Sequence, residues 1–401
     1  MTLPNKNFCV LPWISLETSP IGTLRPCCLA EEEIVDEHST KFNLATANLN
    51  QVQDSVYMYQ LRQQFLKGNR PDTCRKCWNE EDAGRISKRM HTIKRLEHVI
   101  DNETWTHASK PLKFLDLKLG NICNLKCRIC GSWSSSQFAV EEIKFSKPGQ
   151  ADYHKSMLRK GAWPKENQVF WNQIDRLIDQ IEYIEFTGGE PFMINEHFDM
   201  LQKIVDRGRA PHVEIHYNTN GTHYPEHAED IWQNFNTVEI AFSIDDVDRR
   251  FEYQRTNANW NQVVDNIEKF KQLKSRHANI QLQVCSTVNI FNVMYLEELA
   301  HWIDKQGFDF IYWNMLHQAP FFNISNLPIA AKTIAAERLR TSKVRPFHQQ
   351  EFERIINFMQ SDARLDVKSI VDKIHELDSR RGQSLCADHQ LLAEALGYAD
   401  T

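Results

Sequence analysis

The sequence predicts an α/β fold: a parallel sheet whose strands are joined by crossover helices. Six short runs rich in Val, Ile, Phe and Tyr are separated by amphipathic stretches of helical length, and polar or cysteine residues gather just past the ends of those runs. With 401 residues, 41% of them hydrophobic, the chain can bury a large core and still support one or two smaller modules.

The first run, residues 114–119, alternates apolar and other side chains with the period of a strand. It leads into Gly120-Asn121-Ile122-Cys123-Asn124-Leu125-Lys126-Cys127-Arg128-Ile129-Cys130. Three thiolates on one short loop can hold three irons of a cubane cluster and leave the fourth without a protein ligand, whereas electron-transfer clusters take four cysteines. A zinc knuckle, or three cysteines together by chance, is the competing reading. The second run, 181–186, enters the turn Thr187-Gly188-Gly189-Glu190-Pro191, where glycines admit close backbone approach and a carboxylate can pair with an ammonium.

Runs 213–218, 238–244, 280–288 and 310–315 follow, with helical stretches such as 263–270 between them. Asn218 ends the third run, and Ser243 and Asp245 end the fourth, with Arg255 beyond. Thr287 and Asn289 close the fifth and Asn314 the sixth. These are candidate cofactor contacts; helix capping is the alternative for Ser243 and Asp245, and a solvated helix face for Arg255.

The Cys-x3-Cys-x2-Cys loop after a first strand, with Gly-Gly-Glu-Pro one unit later, resembles the radical SAM superfamily. The resemblance implies a partial (β/α)6 barrel of the TIM type. It implies that Cys123, Cys127 and Cys130 bind a [4Fe–4S] cluster and that S-adenosylmethionine (SAM) chelates its open iron. Gly188, Gly189 and Glu190 would contact the methionyl amino group, and Ser243 and Arg255 its carboxylate, for which a planar guanidinium is suited. One-electron cleavage would yield methionine and a 5′-deoxyadenosyl radical, fed by an electron donor such as a flavodoxin or ferredoxin.

A second cysteine group precedes the barrel: Cys9, Cys27, Cys28, Cys74 and Cys77, with Gly22 five positions before Cys27. It resembles the SPASM and twitch modules, although those usually follow the barrel. The resemblance implies an auxiliary [4Fe–4S] cluster on Cys9, Cys27, Cys74 and Cys77, with Cys28 as an alternative to Cys27. A structural zinc site suits four such thiolates as well. Cys285 and Cys386 read as buried small apolar residues.

The net charge of −6 argues against broad nucleic-acid binding. A basic run, Arg85, Lys88, Arg89, His91, Lys94 and Arg95, reads as a solvated helix face. No apolar run reaches membrane-spanning length and no secretory signal is evident, so a cytoplasmic protein with reduced thiols is expected. The expected organisation is an auxiliary module over 1–100, a barrel over 110–320 and a helical C-terminal extension over 328–401. The expected activity is hydrogen abstraction from a ribosomally made peptide. A dehydrogenase or epimerase of a sugar or nucleotide-linked small molecule is the alternative, and a non-catalytic metal-binding interaction protein is the reading from another class.

Overall fold

The computed structural model describes residues 3–82, 84, 86–101, 103–317, 319–361 and 365–398. Its strands are β1 (Ser15–Thr18), β2 (Leu24–Arg25), β3 (Phe114–Lys118), β4 (Tyr183–Thr187), β5 (Glu214–Thr219), β6 (Thr237–Phe242), β7 (Ile280–Val288) and β8 (Phe310–Met315). They order in one sheet as β2-β1-β3-β4-β5-β6-β7-β8. Strands β3 to β8 are the six runs expected from hydrophobic patterning, and helices lie between them, which is the α/β arrangement of a partial barrel. Among the described residues no helix is long and apolar enough to cross a membrane.

Strands β1 and β2 were not foreseen. They form a two-stranded antiparallel hairpin, and β1 pairs in parallel with β3, Glu17 opposite Asp116. Four and two residues give too short a pattern to stand out by period. The hairpin turns at Gly22, whose φ of +81° is open to glycine at little cost.

The chain divides into two compact units. The first comprises Met1–Ile122, Pro148–Tyr217 and Glu226–Val238. Within it β3 pairs with β4 and β4 with β5, in a continuous row that sets Glu17, Asp116, Glu185 and His216 side by side. Its core includes Phe186, Phe192, Phe198, Tyr217 and Trp232, packed ring against ring. His197 sits among them fully buried, its Nδ1 donating to the Ile194 carbonyl at 2.5 Å and its Nε2 facing the Tyr217 hydroxyl at 3.1 Å.

Burial holds the His197 imidazole at about 3 instead of its usual 6.5. A depressed folded value means that the neutral ring favours folding above pH 6.5, and that this support drains away as pH falls toward 3. His197→Leu is therefore expected to flatten the decline of melting temperature between pH 6.5 and 4. A variant whose decline parallels the parent's would contradict the assignment.

The basic run departs from expectation. Helix Lys88–Arg95 turns three of its cations onto the strands and the N-terminal chain of its own unit. Lys88 pairs with Glu185 at 2.5 Å, Arg95 with Glu214 at 2.8 Å, and Arg89 with Glu81 at 2.6 Å. Only His91 and Lys94 face outward as a solvated helix face would. The cause is that strand carboxylates, invisible as a group in the sequence, need buried counter-charges. Arg85 lies outside the described residues.

The second unit comprises Cys123–Lys147, Asn218–Pro225 and Glu239–Thr401. Helix Trp260–Arg276 starts at the Asn259 cap, whose side chain accepts from the Gln262 amide, and buries Trp260, Val263, Ile267 and Phe270 on one face. Strand β7 alternates buried and half-buried residues along its whole length and pairs with β8. Cys285 falls on the less covered side of that alternation, and Cys386 is likewise half-buried, so neither is the fully buried apolar filler expected. Within the stretch 328–401, expected to be helical, lie the helices Pro346–Met359 and Val367–Arg381.

Candidate functional site

The chain leaves β3 through Gly120, whose φ is +72° and whose absent Cβ makes room for the Gly161 carbonyl. The turn after β4 closes on the same segment: the Gly189 amide donates to the Gly120 carbonyl at 3.0 Å and the Glu190 amide to the Ile122 carbonyl at 2.8 Å. Glu190 is fully buried, and its Oε1 accepts from the Phe192 amide at 3.2 Å. Gly188, Gly189 and Glu190 thus meet the residues leading into the cysteine loop, all within the first unit.

Within the second unit the loop is shaped by local polar contacts. The Ser136 hydroxyl bridges the Cys123 amide and carbonyl, Ser135 Oγ donates to the Leu125 carbonyl at 2.5 Å, and the Leu125 amide points at Cys123 Sγ at 3.4 Å. Cys123 and Cys127 are buried with Leu125, and Cys130 packs against them. A hydrogen bond from Cys127 to Cys130 raises the Cys127 thiol, with burial adding to it, and lowers that of Cys130. Cys123 acts electrostatically on Cys130, so the three sulfurs share one neighbourhood.

Two further side chains reach these sulfurs. Asn220 Nδ2 lies 3.8 Å from Cys123 Sγ and 3.0 Å from Asn124 Oδ1, and Arg255 Nη1 lies 3.9 Å from Cys127 Sγ. Burial opposes the Arg255 charge, but Asp245 and the two thiols outweigh it and hold the guanidinium above its ordinary value. Arg255 is gripped by Asp245, Nη2 to Oδ2 at 2.6 Å and Nε to Oδ2 at 3.0 Å, while Asp245 Oδ1 accepts from the Thr287 amide at 2.8 Å. Asp245 therefore orients Arg255 instead of capping a helix. Ser243 is half-buried with its amide on the Thr219 carbonyl, and Asn218 is half-buried at the end of β5. Asn289 donates to Gln254 and to the Thr287 carbonyl.

Asn220 was missed among the named candidates, although it stands two residues beyond Asn218 and so on the same face of the chain. Asp116 was missed as well. Burial, then repulsion from Glu185, pushes its carboxyl up to about 7 despite Lys88 and Lys118. Its Oδ2 makes no hydrogen bond. An alternating apolar strand with polar residues at 116 and 118 was the available signal.

In the first unit the thiols of Cys9, Cys27, Cys74 and Cys77 act on one another. Burial is the first cause raising Cys9 and Cys74, reinforced by their neighbouring thiols, and Cys27 is pushed up to about 12 by burial and Cys77. Cys77 is raised by burial. Cys28 differs: after burial, its neighbours are Asp116, Lys88 and Glu185, with Cys27 behind them. Among the described residues no group of three or more His, Cys, Asp or Glu side chains converges to hold a metal ion. Cysteine sulfurs are the donors that iron–sulfur clusters and zinc take, and they ligate as thiolates.

Residues 117–304 match the Radical SAM superfamily. No curated protein matches the chain. Among solved structures, native anSMEcpe with bound AdoMet and Cp18Cys peptide aligns at 17% identity and a TM-score of 0.38, over 73% of this chain and 68% of that one. Streptococcus suis SuiB bound to precursor peptide SuiA aligns at 9% identity and a TM-score of 0.34, over 92% and 71%. The segment similar to that superfamily contains Cys123, Cys127, Cys130, Gly188, Gly189, Glu190, Asp245 and Arg255.

Proposed function

We propose that Cys123, Cys127 and Cys130 hold a [4Fe–4S] cluster whose open iron takes SAM, and that the enzyme abstracts hydrogen from a ribosomally made peptide. When bound, the cluster and SAM supply one-electron cleavage of the sulfonium to methionine and a 5′-deoxyadenosyl radical. The observation that carries the reading is the meeting of three thiols, Arg255 and Asn220 in one buried neighbourhood inside the matched segment.

Arg255 would offer positive charge beside the cluster, held in place by Asp245, and Asn220 an amide donor toward the Cys123 sulfur. Gly188 and Gly189 keep the backbone bare of side chains along the turn, and Glu190 supplies a carboxylate for the methionyl ammonium. Ser243 and Asn218 remain proposed SAM contacts. An auxiliary [4Fe–4S] cluster on Cys9, Cys27, Cys74 and Cys77 would make residues 1–100 the auxiliary module, 110–320 the catalytic barrel and 328–401 a helical extension. That thiol set agrees with the peptide reading and equally with the small-molecule alternative, since such modules accompany peptide-modifying enzymes and small-molecule dehydrogenases or epimerases alike.

The test is anaerobic incubation of reconstituted protein with SAM and a flavodoxin, ferredoxin or dithionite donor. 5′-Deoxyadenosine should form, and a short peptide encoded beside the gene should lose hydrogen to it; absence of 5′-deoxyadenosine in every condition would refute the reading. Because Cys27 acts on the other thiols while Cys28 faces Asp116 and Lys88, Cys27→Ala should lose about four irons per chain and Cys28→Ala none. Loss of zinc with unchanged iron in Cys27→Ala would assign zinc to the site.

A further inference from the structure

We propose that the C-terminal helix Val367–Arg381 clamps the cysteine loop, with Asp378 and Arg381 as positioning residues for the cluster. The proposal rests on Cys123, Cys127 and Cys130 being cluster ligands. This helix lies outside the segment matched to the superfamily.

The loop alternates its loyalties. Cys127 points its sulfur toward Cys130 and Arg255, while the residues on either side of it, Lys126 and Arg128, send their side chains to Glu141 and Asp378. Their backbones are fastened too, the Lys126 amide to the Thr256 carbonyl at 3.1 Å and the Arg128 amide to the Gln254 carbonyl at 2.9 Å. Cys127 is therefore held between two anchored neighbours.

Arg128 is 1% exposed. Its Nε donates to the Tyr253 carbonyl at 2.9 Å, its Nη2 to Asp378 Oδ1 at 2.5 Å and to Gln383 Oε1 at 2.9 Å, and its guanidinium lies 3.6 Å from the Tyr253 ring centroid. Asp378 is filled by donors from four places: Arg128 and the Tyr253 hydroxyl on Oδ1, the Leu385 amide and the Tyr398 hydroxyl on Oδ2, all between 2.5 and 3.0 Å. A carboxylate so surrounded keeps a single orientation, and a guanidinium bound to it cannot swing.

The second arm runs through Glu141. Lys126 Nζ reaches Glu141 Oε1 at 2.6 Å, and Arg381 Nη2 reaches Glu141 Oε2 at 2.7 Å, with Arg381 Nη1 on Thr256 Oγ1 at 3.2 Å. The Arg381 side chain is wholly buried. One helix thus holds both neighbours of Cys127, directly through Asp378 and through Glu141 from Arg381. A cubane cluster needs its three sulfurs at set positions, so a loop held in advance binds it with less ordering cost.

The experiment compares the full-length chain with Asp378→Asn, which keeps shape but removes the charge, and Glu141→Gln, which weakens the other arm. In the metal-free proteins, hydrogen exchange at the Lys126 and Arg128 amides should speed up about tenfold more than at amides of the first unit, whose change reports the general loss of stability from an unpaired buried charge. In the reconstituted proteins, the electron paramagnetic resonance signal that changes on adding SAM should weaken by about tenfold. The midpoint potential of the remaining cluster should shift as well. Tyr398→Phe should show the same changes to a smaller extent. If Asp378→Asn fails to fold, Glu141→Gln carries the same two measurements. Parent-like exchange and a parent-like SAM-sensitive signal in the variants would overturn the clamp. Faster exchange in the variants, with no SAM-induced change in the parent itself, would keep the clamp and remove the cofactor reading.

Discussion

Cys127→Ala is expected to abolish SAM cleavage, with 5′-deoxyadenosine falling by about three orders of magnitude or more, to the background of the uncatalysed reaction. Cys127 is the sulfur toward which Arg255 reaches, and it shares a hydrogen bond with Cys130. Without it the proposed cluster would lose one of its three ligands, and the loop would lose the residue that Lys126 and Arg128 hold from both sides. Cys285→Ala, on the half-covered face of β7, should leave cleavage unchanged. The pair of measurements is 5′-deoxyadenosine by chromatography and iron per chain, and a Cys127→Ala protein that retains cleavage would rule out the ligand assignment.

Gly188→Ala is the second large expected effect. The backbone there has φ of +114°, a region closed to side chains, and an added Cβ would lie 2.6 Å from the Leu119 nitrogen and 2.9 Å from the Gly120 oxygen. Both contacts are to backbone, which cannot rotate out of the way as a side chain could. Strain and overpacking together should cost about 3 kcal/mol or more. Gly208→Ala is the matching control, because φ is +68° but no atom lies within 4 Å of the added carbon. It should cost only about 1–2 kcal/mol. Urea midpoints measure the difference, and SAM cleavage should be lost in Gly188→Ala and kept in Gly208→Ala. Equal destabilisation of the two would mean that crowding at the turn is unimportant.

The candidate site was legible wherever chemistry lies in consecutive residues. The three cysteines of the loop and the Gly188-Gly189-Glu190 turn are each local, and their placement after two alternating strands was readable from period alone. Arg255 was legible as a cation, but its partner was not. That Asp245 grips it depends on the end of β6 and the following helix meeting in space, ten positions apart in the chain. The same holds for Asn220, which was not singled out beside Asn218.

The basic helix shows the opposite error. By charge pattern alone Lys88 and Arg95 look solvated, because a sequence does not display the carboxylates of Glu185 and Glu214 that await them about a hundred residues away. Once those carboxylates are half-buried on strands, leaving them unpaired carries a desolvation cost, so the helix turns its cations inward.

The amino-acid order by itself determined the α/β class, six of the eight strands, the three-thiol loop and the second cysteine group, since these follow from short-range period, spacing and residue chemistry. Only the tertiary structure decided that Asp245 holds Arg255, and that Asp378 reaches Arg128 and Arg381 reaches Glu141 from 250 and 240 residues downstream. Local patterns are written in neighbouring side chains, whereas a buried charge selects its partner by distance in space, and that distance exists only after the strands and helices have packed.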